Sequence, residues 1–388
     1  MLNKTAKEAL LIRAIDDIDK LTHRGYLYAG LPHFNCLFGR DSIICSLQLL
    51  DYNPGYARKT LLKLASMQGK RIDHLSEEEP GKIIHENRLR NHELNYKWKF
   101  PYYGSADSTP LFIVLLAKYY KKTKDISLVQ SLWPKALKAL DWMREYGDFD
   151  SDLFIEYHRK NPQGLRNQCW KDSLDSVFYS DGHLVEPPIS SVEIQGYKYQ
   201  ALISLNYLAE IINKKLPVEQ SRINDLRKKI NDCFWVKRKK FFAIGLDSAK
   251  EQIAIISSNP GHLLYSEAID EDKAAMVVER LMKPDMFSGW GIRTISSREI
   301  RFSPFSYHNG SIWFHDNWII CEGMKKYGFT KEAALVRKSL MEAALHLNCI
   351  PELFCGIARN GKAPMFNDNA CHIQAWSAAS IVNWLNSH

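Results

Sequence analysis

Apolar residues recur at i, i+3, i+4 spacing through most of the chain, which predicts one helix after another. The stretches MLNKTAKEALLIRAIDDIDKL, PGYARKTLLKLASMQ, SLVQSLWPKALKALDWMREYG, EQSRINDLRKKINDCFWV and TKEAALVRKSLMEAALHL each carry an apolar stripe and an opposite polar face. Helices of that kind lie half exposed on a core. A second set is more apolar, and each member opens on a cluster of polar and aromatic residues: FGRDSIICSLQLL, YYGSADSTPLFIVLLAKYY, SSVEIQGYKYQALISLNYLAEII, NPGHLLYSEAI, YHNGSIWFHDNWIICEGMKKYG and ACHIQAWSAASIVNWL. Their starts near Asp41, Asp107, Glu193, Gly261, Gly310 and His372 are roughly 50 to 90 residues apart, room for two helices and a long loop. The alternation predicts an all-α ring of six helical hairpins, with the amphipathic helices outside and the apolar helices inside. The polar clusters would then gather at one end of the ring. An irregular all-α protein or a superhelical array is the other reading. Arrays repeat one motif, whereas these six clusters differ from one another. Short β insertions are expected at DLFIEYH, KFFAIGLD and EQIAIIS. Residues 1–388 read as one domain with no separate N-terminal β domain.

Composition narrows the picture. Hydrophobic content of 45% and charged content of 25% fit a soluble globular chain. The 10 Trp, 18 Tyr and 17 Phe exceed what a core needs and suit a site that stacks flat rings. A net charge of +8 would suit an acidic partner, but the basic residues are scattered. The densest runs, RKKI and VKRKK between Arg227 and Lys240, read as the solvated face of one helical hairpin, so no nucleic-acid partner is expected. Eight cysteines without a C-x-x-C pair read as free thiols of a reducing compartment. The N-terminus lacks the form of a signal peptide, and no apolar run reaches the roughly 18 residues of a membrane helix. A cytoplasmic protein with no membrane partner is expected. The carboxylates look dispersed, with no loop of calcium-ligand spacing. Neither metal nor cofactor is expected, and the oligomeric state is left open.

The chain lacks G-x-S-x-G, Walker A, G-x-G-x-x-G and H-E-x-x-H. IIHENRLRNH begins like the last of these, but its second histidine is misplaced. A nucleophilic cysteine near His308, His315 or His372 has no support from spacing. What remains is acid–base work by two carboxylates in an aromatic pocket. Asp172 follows Trp170 by two residues, and an indole beside a carboxyl group keeps water away and raises its pKa, as a general acid requires. Glu352, in PELFCG, stands between a proline and apolar residues and suits a general base. The plain alternatives are a helix N-cap for Asp172 and a surface charge for Glu352.

Eight motifs, LFGRDS, EEPGKIIHE, YYGSADSTPLF, NQCWKDS, SGWGIRT, YHNGSIWFHDN, PELFCG and QAWSAAS, stand in order from about Gly30 to Trp384. Together they resemble the catalytic domain of amylo-α-1,6-glucosidase-like, glycogen-debranching-type proteins of the six-hairpin glycosidase superfamily, related to glycoside hydrolase family 63. The resemblance implies an (α/α)6 toroid. It also implies an inverting mechanism, with two carboxyl groups roughly 6.5–9.5 Å apart around a water. Asp172 matches the general acid of the W-K-D-S motif and Glu352 the general base of P-E-L-F. Arg40 and Asp41 match a pair that grips hydroxyls of the terminal sugar; a salt bridge capping the first inner helix is the alternative. Tyr103, Asp107, Trp170, Trp290, His308, Asn309, Asp316 and Trp376 fall in matching clusters, and Glu193 and Gln195 are candidate hydroxyl ligands. Trp290, flanked by glycines, is the candidate sugar platform, or else a core residue. Three departures bear on substrate: no β-rich domain ahead of the toroid, Phe314 in place of a proline, and His372 with Ile373 in place of two prolines. The expected activity is an exo-acting α-glucosidase-type hydrolase of a short α-glucoside or small glycoside, glycerate among the possible aglycones. A sugar isomerase or epimerase using His308, His315 and His372, or a binding protein without catalysis, are the competing readings.

Overall fold

The computed structural model describes residues 3–88 and 98–386. Among them are twelve α-helices in two alternating kinds. The outer set is α1 (Lys4–Leu21), α3 (Gly55–Ser66), α5 (Ile126–Glu145), α7 (Gln220–Cys233), α9 (Glu271–Leu281) and α11 (Thr330–Leu347). The inner set is α2 (Gly39–Gln48), α4 (Ser108–Thr123), α6 (Val192–Ile211), α8 (Gly261–Ser266), α10 (Phe314–Lys326) and α12 (Ala375–Asn386). Sequence spacing accounts for both. Helix α9 buries Ala274, Val277, Val278 and Leu281, one stripe at i, i+3, i+4, i+7. Helix α2 has no polar stripe, and every one of its residues is buried.

The inner helices pack in sequence, α2 on α4, α4 on α6, α6 on α8, α8 on α10 and α10 on α12, and α12 returns to α2. Each outer helix lies against an inner neighbour, and α1 packs on α12 and α11 to close the outer layer. The result is the expected (α/α)6 toroid. Where α10 meets α8, a Cβ on Gly323 would lie 2.5 Å from the Tyr265 amide nitrogen, so only glycine admits this approach.

Two-residue strands lead into four of the inner helices. Leu37–Phe38 pairs with Glu86–Asn87 before α2, and Ser190–Ser191 pairs with Gly245–Leu246 before α6. Ile312–Trp313 pairs with Leu353–Phe354 before α10, and Ile373–Gln374 pairs with Gly30–Leu31 before α12. These ladders knit distant loops together at one end of the ring. They also move the starts of α10 and α12 past Gly310 and His372, because the intervening residues pair as strand. KFFAIGLD and EQIAIIS contain short strands. DLFIEYH pairs only at Tyr157, which exchanges both backbone hydrogen bonds with Ile189; its amides at Leu153 and Phe154 bond aspartate side chains, which replaces a longer ladder with turns. The basic run from Arg227 to Lys240 is not a helical hairpin either. Helix α7 ends at Cys233, and Lys237–Lys239 forms a 3-10 turn between paired strands at Trp235–Val236 and Phe241–Phe242. Trp235 and Phe242 pack edge to face across that hairpin, centroids 4.9 Å apart. All eight cysteines are free. No helix of the described residues is long and apolar enough to cross a membrane.

Candidate active site

The loops at the knitted end of the ring enclose a cavity of about 240 Å³. Helix α2 brings Arg40 and Asp41 to it in its first turn. Arg40 is 4% exposed and ties three segments together. Its Nη1 donates to Asp107 Oδ2 at 2.9 Å and to the Cys169 carbonyl at 3.1 Å, and its Nη2 donates to Asp172 Oδ2 at 2.9 Å. Asp107, the residue preceding α4, is fully buried and pairs with Arg40 behind the cavity. Asp172 keeps a quarter of its side chain, 26%, open to the cavity. Burial raises the Asp172 pKa, and the Arg40 guanidinium opposes the rise.

Glu352 reaches the same cavity from the segment just before the Leu353–Phe354 strand. Tyr307 donates its hydroxyl to Glu352 Oε1 at 2.6 Å, and the Cys371 amide donates to Oε2 at 3.0 Å. Burial still pushes the carboxyl up to about 8, against the pull of those two donors. Asp41 rises to about 7, again chiefly by burial, with Arg40 opposing. No hydrogen bond joins Asp172 and Glu352 among the described residues; each is anchored by its own partners.

The walls are aromatic. Trp170, Trp313 and Trp376 line the cavity, and His315 is wedged behind them, stacked on Trp376 at 3.7 Å. His308 stacks on Trp313 at 5.0 Å and receives the Ser173 hydroxyl on Nδ1 at 2.6 Å. Burial holds His308 and His315 well below the ordinary histidine pKa, so both rings are neutral near pH 7. With Nδ1 of His308 accepting from Ser173, its proton sits on Nε2. On a further wall Arg88 lies over the faces of Phe34 and Phe38, 6.0 Å from each. It pairs with Glu86 Oε2 at 2.7 Å.

Of the residues singled out in the sequence, Arg40, Asp41, Trp170, Asp172, His308, Glu352 and Trp376 line this cavity. Seven others stand apart from it and are corrected accordingly. The Tyr103 hydroxyl is spent on the Met67 carbonyl at 2.7 Å, and Asp107 lies behind Arg40. Glu193 accepts from Ser191, and Gln195 clasps the backbone of Ile155. Asn309 binds Asp175, and Asp316 binds His262 Nε2 at 2.7 Å. Trp290 is a core residue, 2% exposed, capped by Arg359 at 4.0 Å and by the edge of His346. Its flanking glycines admit neighbours rather than a sugar. His372 stacks on Phe366 and does not line the cavity, and Phe314 packs in the core against Phe354. The motif IIHENRLRNH runs past residue 88 and its end lies outside the described residues. Tyr307, Glu86, Arg88 and Trp313 are cavity residues that lie inside quoted motifs but were not singled out; nothing local pairs Tyr307 with Glu352. The expectation that the carboxylates are dispersed fails at residues 148–156, where ligand atoms of Asp148, Asp150 and Glu156 lie within 4.8 Å of one another.

Residues 40–354 match the family model described as the mannosylglycerate hydrolase MGH1-like glycoside hydrolase domain. Mannosylglycerate hydrolase from Rubrobacter radiotolerans is 24% identical over 139 residues, which are 34% of this chain and 31% of that protein. Mannosylglycerate hydrolase MGH1 from Selaginella moellendorffii is 26% identical over 140 residues, 36% of this chain and 27% of that protein. The match spans about a third of these curated relatives' length. Among solved structures, the family 63 mannosylglycerate hydrolase of Thermus thermophilus, in complex with Tris and D-glycerate, superposes with a TM-score of 0.75 at 16% identity. That match covers 97% of this chain and 99% of the other. A rhamnosidase from Klebsiella oxytoca superposes with a TM-score of 0.63 at 14% identity, over 98% of this chain and 64% of the other. Both likenesses show the toroid.

Proposed function

Because the chain belongs to the mannosylglycerate hydrolase MGH1-like glycoside hydrolase domain family, we propose that this glycoside hydrolase is exo-acting and inverting, and that it removes one terminal sugar from a glycoside of glycerate. The sequence alone pointed to a glucoside. The relatives are mannosylglycerate hydrolases, so a mannosyl unit now stands ahead of a glucosyl one. A cavity of about 240 Å³ suits a substrate of one ring and a small aglycone. Arg88, a guanidinium on the cavity wall, is the candidate partner for the glycerate carboxylate.

In this reading Asp172 protonates the glycosidic oxygen, and Glu352 takes a proton from the water that attacks the anomeric carbon from the opposite face. Tyr307 holds Glu352 in place. Asp107 gives Arg40 a second carboxylate, and a protonated Asp172 can still accept from Nη2 through its carbonyl oxygen. The carrying observation is that two carboxyls remote in sequence share one aromatic cavity, each with its own anchors and unbonded to the other. Burial raises the pKa of both carboxyls, and the reaction needs one proton between them, on Asp172. The rate therefore follows the singly protonated pair and falls on either side in a bell-shaped profile.

The test is turnover of α-mannosylglycerate and α-glucosylglycerate by wild type and Asp172→Asn, with the anomer of the first-formed sugar read by NMR. The expected result is release of the β-anomer and a fall in kcat of about 10²–10⁴ in the variant, with the folded state intact. Release of the α-anomer, or full activity of the variant, overturns the proposal. The isomerase reading needs a histidine pair facing substrate. Of the three histidines named for it, only His308 lines the cavity; His315 lies behind the tryptophans and His372 stacks on Phe366.

A further inference from the structure

Residues 148–156 read DFDSDLFIE, with acidic side chains at relative positions 1, 3, 5 and 9. These match the first nine positions of a calcium loop, in which position 6 is a glycine at a sharp turn and position 7 offers its carbonyl; position 12, where such a loop has a bidentate glutamate, is Arg159 here. The backbone follows the same course. Leu153, at position 6, has φ of 79°, in the left-handed region. The Leu153 amide donates to Asp148 Oδ2 at 3.1 Å, the Asp152 amide to Asp150 Oδ1 at 3.2 Å, and the Phe154 amide to Asp152 Oδ1 at 2.8 Å. These bonds turn the carboxylates toward a common centre.

That centre is taken. The Lys250 ammonium, from the turn after the Gly245–Leu246 strand, lies 3.0 Å from Asp150 Oδ2, 3.0 Å from Asp152 Oδ2 and in contact with Glu156 Oε1. An ammonium has three N–H donors, and three carboxylates use them. The fourth is left over: Asp148 is 7% exposed, and its Oδ1 has no hydrogen-bond partner. Lys198 approaches only the other oxygen, at 3.6 Å. A divalent ion would take Asp148 together with Asp150 and Glu156, whose ligand atoms lie within 4.8 Å of one another, whereas the ammonium leaves Asp148 out. We propose that residues 148–156 form a divalent-cation loop whose ion position is filled by the Lys250 side chain, so that the protein carries its own cation there and needs no metal. The loop matters to the scaffold. Glu156 also receives the Ser190 hydroxyl at 3.2 Å, and Gln195 of α6 clasps Ile155. The lysine thus staples the exit of α5 to the entrance of α6.

The test compares thermal unfolding of wild type, Lys250→Ser and Lys250→Gln, each after chelation and again with about 1 mM calcium, above the affinity range of most such loops. Wild type should unfold at the same temperature in both. The two variants should unfold several degrees lower after chelation and recover with calcium, and Asp150→Asn added to Lys250→Ser should abolish the recovery. Calorimetric titration of calcium should show one site in the variants and none in wild type. Stabilisation of wild type by calcium would mean that metal displaces the ammonium, and would overturn the proposal. So would variants that ignore calcium, or that fail to fold even when it is present.

Discussion

Burial and the Tyr307 hydroxyl decide how Glu352 titrates. Tyr307 donates to the ionised form of Glu352, so its loss favours the protonated form. Tyr307→Phe should move the limb of the kcat/KM profile that lies near pH 8 to higher pH, and a rate profile from pH 5 to 10 checks it. An unchanged limb would mean that the hydroxyl does not tune this carboxyl. Glu352 also makes a stability prediction. Its folded-state pKa of about 8 lies above the ordinary 4.5, so the folded state binds the extra proton and loses stability as pH rises from about 4.5 to 8. Glu352→Gln removes that loss. Its unfolding midpoint should exceed wild type at pH 8–9 and converge with it near pH 4, a difference on the order of a few kcal/mol at most. Such a trade of stability for a charged group in a dry cavity is common at reactive sites.

At the scale of elements, the inner ring tolerates little change. Helix α8 has six residues, all buried, and depends on its close approach to α10 at Gly323. Gly323→Ala would push a methyl carbon into the Tyr265 backbone, and should cost about 1–3 kcal/mol, read as a lower urea midpoint at unchanged slope. The same alanine on the exposed side of α9 should be nearly neutral. The short strands ahead of the inner helices do a different job. They fix where the loops cross, and so place Glu352, next to Leu353, beside the Tyr307–Trp313 segment through the pairing of Leu353 with Trp313.

For the molecule as a whole, Arg40 joins helix α2, the buried Asp107 ahead of α4 and the loop that carries Asp172. Arg40→Met would strand the Asp107 carboxylate in the interior. Breaking a buried pair from one side costs about 3–5 kcal/mol, so chemical denaturation should show a loss of that order along with lost turnover. Adding Asp107→Asn should restore much of the stability and none of the activity. The sequence by itself determined the alternation of twelve helices and which set is inside, because helical periodicity and all-round apolarity are local properties that a chain displays in any context. It also singled out the motifs around Trp170–Asp172 and Glu352, which meet at the cavity. Only the tertiary structure decided which polar clusters meet. Trp290 and Tyr103 look like Trp170 and Arg40 in sequence, yet the first pair packs into the wall while the second faces the cavity. Only folding brought Tyr307 to Glu352, Arg88 to Phe34 and Phe38, and Lys250 into an acidic loop about a hundred residues away. Those contacts depend on the paths of long loops, and a loop's path is set by the partners that satisfy its buried polar groups, which are distant in sequence and leave no periodic trace along it.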